Sequence, residues 1–125
     1  MNFLTKSNED YLEAILILEE KYDRVLSVNI AKFLNVSKPG VNRAMNILKE
    51  NGLIEKTDYS EITLTTKGRE LANQVYDKHK TIKSFLIQLG VSEETAENDC
   101  CLIEHVISNE TYEKMKLFLK KETAN

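Results

Sequence analysis

The stretch SVNIAKFLNVSKPGVNRAMNILKENG, from Ser27 to Gly52, spells two short helices and the corner between them. Ser27 is placed to cap the first, and Val28, Ile30, Ala31 and Leu34 recur as one inward face. Asn35 tolerates the left-handed conformation of a helix stop. Two residues later Ser37 supplies a second cap. Pro39 falls in the first turn, where a missing N–H costs no hydrogen bond, and Val41, Met45, Ile47 and Leu48 form the predicted buried stripe until Asn51-Gly52. A helix, a short turn and a second capped helix make a helix-turn-helix pattern with the Ser37 helix as reader. Two β-branched alternating runs follow at once, 53–56 and 61–65, joined by the polar turn Thr57-Asp58-Tyr59-Ser60, and these predict a β-hairpin wing.

Helical periodicity governs the rest of the 125 residues, as one Pro, four Gly and no Trp would suggest. Ser7 reads as the cap of a first helix carrying Tyr11, Leu12, Ile15, Leu16, Leu18 and Tyr22 and ending near Tyr22-Asp23. Thr65 or Thr66 caps a long helix through roughly Leu89, with Leu71, Val75, Ile82, Phe85, Leu86 and Leu89 apolar, and Gly90 stops it. Ser92 begins a fifth helix with Ala96, Cys100, Ile103, Val106 and Ile107, and Asn109 begins a sixth with Tyr112, Met115, Phe118 and Leu119. The expected fold is mainly α: a winged helix-turn-helix DNA-binding domain over 1–70, then an all-helical domain over 71–125. No stretch is apolar for the roughly 18 residues that a membrane span needs, and MNFLTKSNED lacks the pattern of a signal peptide, so a cytoplasmic location away from membranes is expected. Cys100 and Cys101 are adjacent and unsuited to an ordinary disulfide, which predicts free thiols in a reducing compartment.

A net charge of −3 taken whole argues against nucleic acid, but its distribution does not. From Ser27 to Ser60 the basic residues Lys32, Lys38, Arg43, Lys49 and Lys56 face only Glu50, Glu55 and Asp58, leaving that segment at +2. Ser37, Lys38, Pro39, Asn42 and Arg43 lie in the first turns of the reader helix, where side chains reach base edges and phosphates. Lys32, Lys49 and Lys56 read as phosphate contacts. Any single lysine is better explained as solvated surface; reader, wing and local positive charge together favour double-stranded DNA.

Three clusters are left over by folding. Asp10 and Glu13 lie at i, i+3 on the first helix, Cys101, Glu104 and His105 at i, i+3, i+4 on the fifth, and His79 midway along the long helix. Singly, each has an ordinary explanation as a helix-terminal charge, a small core residue or a hydrogen-bonded histidine. Jointly they are six candidate ligands for one or two divalent ions. Cys100, turned away from Cys101, reads as core, and Glu97 lies near the cluster.

The stretches SNEDYLEAI, SKPGVNRAMNILKENGLI, ITLTTKGRELA, KHK and DCCLIEHVIS resemble the metal-dependent repressors of the diphtheria toxin repressor family, also called the iron-dependent repressors, and most of all the short manganese transport regulator branch. The resemblance runs from about Ser7 to Leu119. It implies a homodimer that binds a palindromic operator when loaded with Mn(II) or Fe(II) and controls metal uptake, in a two-domain form without an SH3-like third domain. It also implies that Asp10, Glu13, His79, Glu104 and His105 are ligands of the manganese type. Cys101 departs from that branch, where a carboxylate stands, and resembles the iron-type members; Lys83 stands where those members have an ancillary glutamate. A thiolate suits Fe(II), Co(II), Ni(II) or Zn(II), and two carboxylates suit Mn(II), so the balance favours manganese and leaves one or two ions open. Phe85, Leu86, Leu89, Val106 and Ile107 are the expected dimer interface. Two other readings are a metal-independent winged-helix regulator sensing an organic ligand or thiol oxidation, and a small metalloenzyme. Against the second, the chain has no Ser-His-Asp set, phosphate-binding glycine loop or His-Glu-x-x-His motif, so no enzyme is expected.

Overall fold

The computed structural model describes residues 5–57 and 59–124; Met1–Leu4, Asn125 and Asp58, one of the acidic residues counted in the reading segment, lie outside the described residues. Six helices and one hairpin follow in the order α1 Lys6–Glu19, α2 Ser27–Leu34, α3 Lys38–Glu50, β1 Ile54–Lys56, β2 Ile62–Leu64, α4 Thr66–Gln88, α5 Glu93–Ile103 and α6 Asn109–Ala124. The chain forms two compact units, 1–73 and 74–125, and the division falls within α4. Among the described residues no helix is long and apolar enough to cross a membrane.

In the first unit the core is made by Tyr11, Leu12, Ala14, Ile15, Leu16 and Leu18 of α1 with Ile30 of α2, Val41, Ala44, Met45 and Leu48 of α3, and Leu53, Ile54, Ile62 and Leu64 around the hairpin. Each large side chain removed from water here contributes about 1.5–3 kcal/mol, which outweighs the modest helix propensity of the β-branched members. The cap of α1 is Thr5, whose Oγ1 accepts from the Asn8 N–H at 3.1 Å, rather than Ser7, which lies inside the first turn. The helix also stops at Glu19, and Tyr22, expected inside, is 48% exposed. For α2 the cap position is Leu26; Ser27 is the first helical residue, and the Asn29 carboxamide oxygen accepts from the Leu26 N–H at 2.8 Å. Asn35 does stop this helix in the left-handed region, at φ 56°. Ser37 caps α3 through its Oγ on the Gly40 N–H at 3.2 Å. Val28 and Ile47, expected in the core, are exposed, because burial on these short helices narrows to Ile30 and to the Val41, Ala44, Met45 and Leu48 stripe.

The hairpin is antiparallel, pairing Ile54 with Leu64, Glu55 with Thr63 and Lys56 with Ile62. Two strands alone are marginal in water. This pair is anchored at its base, where the Ile62 N–H donates to the Val25 carbonyl at 2.8 Å and the Thr65 N–H to the Leu53 carbonyl at 3.0 Å. Thr65 Oγ1 accepts from the Gly68 N–H at 3.1 Å and so caps α4.

In the second unit Val75, Ile82, Ala96, Cys100 and Tyr112 are buried, and Phe85 meets Phe118 edge to face with centroids 5.5 Å apart. Phe118 nevertheless stays exposed. Gly90 turns the chain after α4 at φ 101°, and Ser92 caps α5 through the Thr95 N–H at 3.3 Å. The expected fifth helix carries Val106 and Ile107, but α5 ends at Ile103. Glu104 keeps helical angles, then the His105 and Val106 N–H groups bond three residues back in a tighter turn. Ser108, rather than Asn109, caps α6, its Oγ accepting from the Thr111 N–H at 3.2 Å.

Candidate functional site

Side-chain exposure on the reader helix follows from its buried stripe. With Val41, Ala44, Met45 and Leu48 inward, the other face presents Lys38, Pro39, Asn42, Arg43, Asn46 and Lys49 to solvent. Ser37 is exposed beside them, and so are Lys32 on α2 and Lys56 at the end of β1. Asn46 is absent from the set read from sequence, yet it lies one turn beyond Asn42, a spacing that would have revealed it. At the wing, Tyr59 is 80% exposed and the Arg24 guanidinium lies 6.0 Å from its ring centroid. No opposing carboxylate comes from α2 or the first two turns of α3, so the donors there are oriented towards solvent, the arrangement that phosphate and base contacts need.

The metal-ligand candidates divide between the two units. In the first, Asp10 and Glu13 lie one turn apart on α1, both partly buried, and Asp10 takes an ion pair from Lys6 at 2.9 Å. In the second, α4 and α5 bring His79 and Glu104 together: His79 Nδ1 is 3.1 Å from Glu104 Oε2. The Glu104 side chain is almost wholly buried, and its Oε1, 3.3 Å from His105 Nε2, makes no hydrogen bond. A buried carboxylate with one imidazole at each oxygen, one of those oxygens making no hydrogen bond, is a site that a divalent cation would satisfy. The donor chemistry of these residues therefore fits a metal.

Sequence reasoning placed Cys100 in the core. It is buried as expected, but its Sγ faces His79, 3.6 Å from Nδ1 and 3.7 Å from Nε2, and 3.7 Å from Glu97 Oε2. Cys101 Sγ is 4.0 Å from the same Glu97 oxygen, and His79 Nε2 is 2.8 Å from it. The signal was present in the i, i+3, i+4, i+7 spacing of Glu97, Cys100, Cys101 and Glu104, which sets three donors along one side of α5 and the fourth at the cap residue that continues it. Burial, with the nearby Cys101, Glu97 and Glu104, pushes the Cys100 thiol well above its ordinary value of 9.0. Both cysteines are free. Lys83 Nζ lies 3.5 Å from Glu97 and 3.7 Å from Glu93, so the position where iron-type relatives were expected to carry a carboxylate carries its counter-charge instead.

Comparison with known proteins assigns both halves of the chain. Residues 3–62 match the iron dependent repressor N-terminal DNA binding domain, and residues 65–124 match the iron dependent repressor metal binding and dimerisation domain. The chain belongs to the iron-dependent repressor family. It is thus a metal-dependent DNA-binding transcriptional repressor, and the family is one of regulators rather than enzymes. Among curated relatives of this repressor, an uncharacterized HTH-type transcriptional regulator of Methanocaldococcus jannaschii is 40% identical over 94% of this chain and 96% of its own. The transcriptional regulator MntR of Escherichia coli is 35% identical over 93% of this chain and 75% of its own. Among solved structures, the manganese regulator SloR superposes with a TM-score of 0.81 at 31% identity, covering 90% of this chain and 53% of that one. The repressor therefore spans about half the length of that solved structure.

Proposed function

We propose that this repressor acts as a homodimer on a palindromic double-stranded operator in the cytoplasm, loaded with Mn(II) or Fe(II), and so controls metal uptake. Asp10, Glu13, His79, Cys101, Glu104 and His105 supply the ligands. The observation that carries this reading is the buried Glu104 carboxylate, held against His79 and His105 with one oxygen lacking a hydrogen bond, in a chain that also carries an exposed, cationic reader helix. The two acidic side chains of α1 and the manganese regulators among its relatives favour Mn(II); the thiol of Cys101 keeps Fe(II) in play.

Ser37, Lys38, Pro39, Asn42 and Arg43 read the operator, and Lys32, Lys49 and Lys56 hold its phosphates. Each divalent ion adds two charges to a chain of net charge −3, bringing it to −1 with one ion, so metal loading also favours the approach of a polyanion. Metal and operator binding are then linked, and operator DNA tightens metal binding by the factor with which metal tightens DNA binding. The dimer is formed by apolar side chains of the second unit, where Leu89 is 63% and Val106 83% exposed and Phe85, Leu86 and Ile107 are partly buried.

The test is operator binding by the purified protein titrated with Mn(II), Fe(II), Co(II) and Zn(II). Binding is expected to require metal and to vanish with chelator, and Asp10→Ala and His105→Ala are expected to abolish the metal response with the fold intact. Cys101→Glu is expected to shift the preference towards Mn(II). Equal affinity with and without metal would overturn the reading.

A further inference from the structure

The six ligands proposed above omit two donors that the structure places beside them, Glu97 and Cys100. One donor atom from each of His79, Glu97, Cys100 and Cys101 lies within 4.8 Å of the others, and all four residues belong to α4 and α5 of the second unit. Ligand bonds of about 2.0–2.3 Å around a tetrahedral ion put neighbouring donors about 3.3–3.8 Å apart. The separations here are 3.7 Å for His79 Nε2 to Cys100 Sγ, 3.7 Å for Cys100 Sγ to Glu97 Oε2, and 4.0 Å for Cys101 Sγ to Glu97 Oε2. The 4.0 Å pair is slightly longer than that range, and His79 Nε2 to Glu97 Oε2, at 2.8 Å, is shorter, the length of the hydrogen bond that an ion would replace.

We propose that His79 Nε2, Glu97, Cys100 and Cys101 form a tetrahedral site for a borderline ion of the Zn(II) or Co(II) class, contained within the second unit. Glu104 is then a positioning residue. Its Oε2 lies 3.1 Å from His79 Nδ1, the carboxylate–histidine arrangement that fixes the ring tautomer and leaves Nε2 to bind metal. Lys83, 3.5 Å from Glu97, offsets part of the negative charge that a carboxylate and two thiolates bring to a divalent ion. On binding, both thiols lose their protons to solvent, and nothing is oxidised or reduced. The site shares His79 and Cys101 with the regulatory ligand set and uses neither Asp10 nor Glu13. A borderline ion held here thus withdraws two ligands from the proposed Mn(II) or Fe(II) site, which gives the repressor a means of telling soft ions from hard ones.

Co(II) added to the full-length protein reports on the site through thiolate-to-cobalt charge-transfer absorption in the near ultraviolet and the intense visible bands of a tetrahedral ion. One Co(II) per chain is expected with both features, displaced by Zn(II). Cys100→Ser is expected to remove about half of the charge-transfer intensity and weaken Co(II) binding by at least about 10–100-fold, the range typical for loss of even an outer-shell partner of a metal site. Glu97→Gln, at a more exposed position, is expected to weaken binding similarly and covers the case in which Cys100→Ser fails to fold. Asp10→Ala with Glu13→Ala is expected to keep the cobalt spectrum while losing Mn(II)-dependent operator binding, so failure of this site and failure of the regulatory reading are separable. Absence of the charge-transfer band, a spectrum unchanged in Cys100→Ser, or its loss in the Asp10 and Glu13 variant would each overturn the proposal.

Discussion

Replacing Gly68 by Ala in the first turn of α4 reverses the usual effect of that substitution. Within an exposed helix Gly→Ala gains about 1 kcal/mol from propensity. Here an added Cβ would sit 1.9 Å from the Leu53 carbonyl oxygen and 2.8 Å from the carbonyl carbon, both backbone atoms that no rotamer change can move. To reach 3.0 Å, the shortest separation a real Cβ tolerates, the two backbone segments must part by about 1.1 Å. That movement stretches the 3.0 Å bond from the Thr65 N–H to the Leu53 carbonyl and the 2.7 Å bond from Thr65 Oγ1 to the Gly52 carbonyl. Overpacking costs about 1–3 kcal/mol and each of the two weakened hydrogen bonds about 1, so after the propensity gain the expected net loss is about 2–4 kcal/mol. For a chain of 125 residues this lowers Tm by roughly 8–16 °C. The assay is urea and thermal unfolding at fixed protein and metal concentration. Gly40→Ala is the control: its Cβ meets only side-chain atoms, the nearest being Ser37 Oγ at 3.0 Å, and even loss of that cap from the Gly40 N–H costs about 1 kcal/mol against a similar propensity gain, so its effect should stay within about 1 kcal/mol. A Gly68→Ala protein as stable as the wild type would refute the argument that α4 starts against the base of the wing.

Arg43→Ala is expected to weaken operator binding by about 1–3 kcal/mol and relax sequence preference, while Lys49→Ala weakens all sequences alike and reduces the salt slope by about one, as binding curves at several ionic strengths would show. Glu substitution at Val106 and Leu89, exposed apolar residues of the second unit, is expected to shift the protein towards monomer in sedimentation equilibrium; an unchanged dimer would place the interface elsewhere. In the metal-free protein, the raised Cys100 ionisation makes that thiol alkylate far more slowly at pH 8 than an ordinary exposed cysteine, which mass spectrometry of labelled peptides measures. Because the folded state favours its neutral form, the stability it contributes is complete below pH 9.0 and is lost as pH rises beyond it. Cys100→Ser should therefore flatten the alkaline limb of the stability profile.

What the sequence determined alone was set by local chemistry. The left-handed Asn35, the Ser37 and Ser92 caps, Pro39 in a first turn and the β-branched runs of the wing each act within a few residues, and each is found where the local rule puts it. Where two residues competed for a cap, as Thr5 with Ser7 or Ser108 with Asn109, the pattern could not choose, because each pair offers side-chain oxygens near the first free N–H groups. The second kind of information was tertiary. Periodicity marked Val28 and Ile47 as inward, yet the width of the buried face on a short helix depends on what packs against it, and both remain exposed. Cys100 shows the same limit at the site. Its position on α5 made it apolar core by spacing, and only the approach of His79 on α4 turned a buried thiol into a candidate ligand. Helix ends are written along the chain, but which donor atoms meet is decided by the packing of one helix on another.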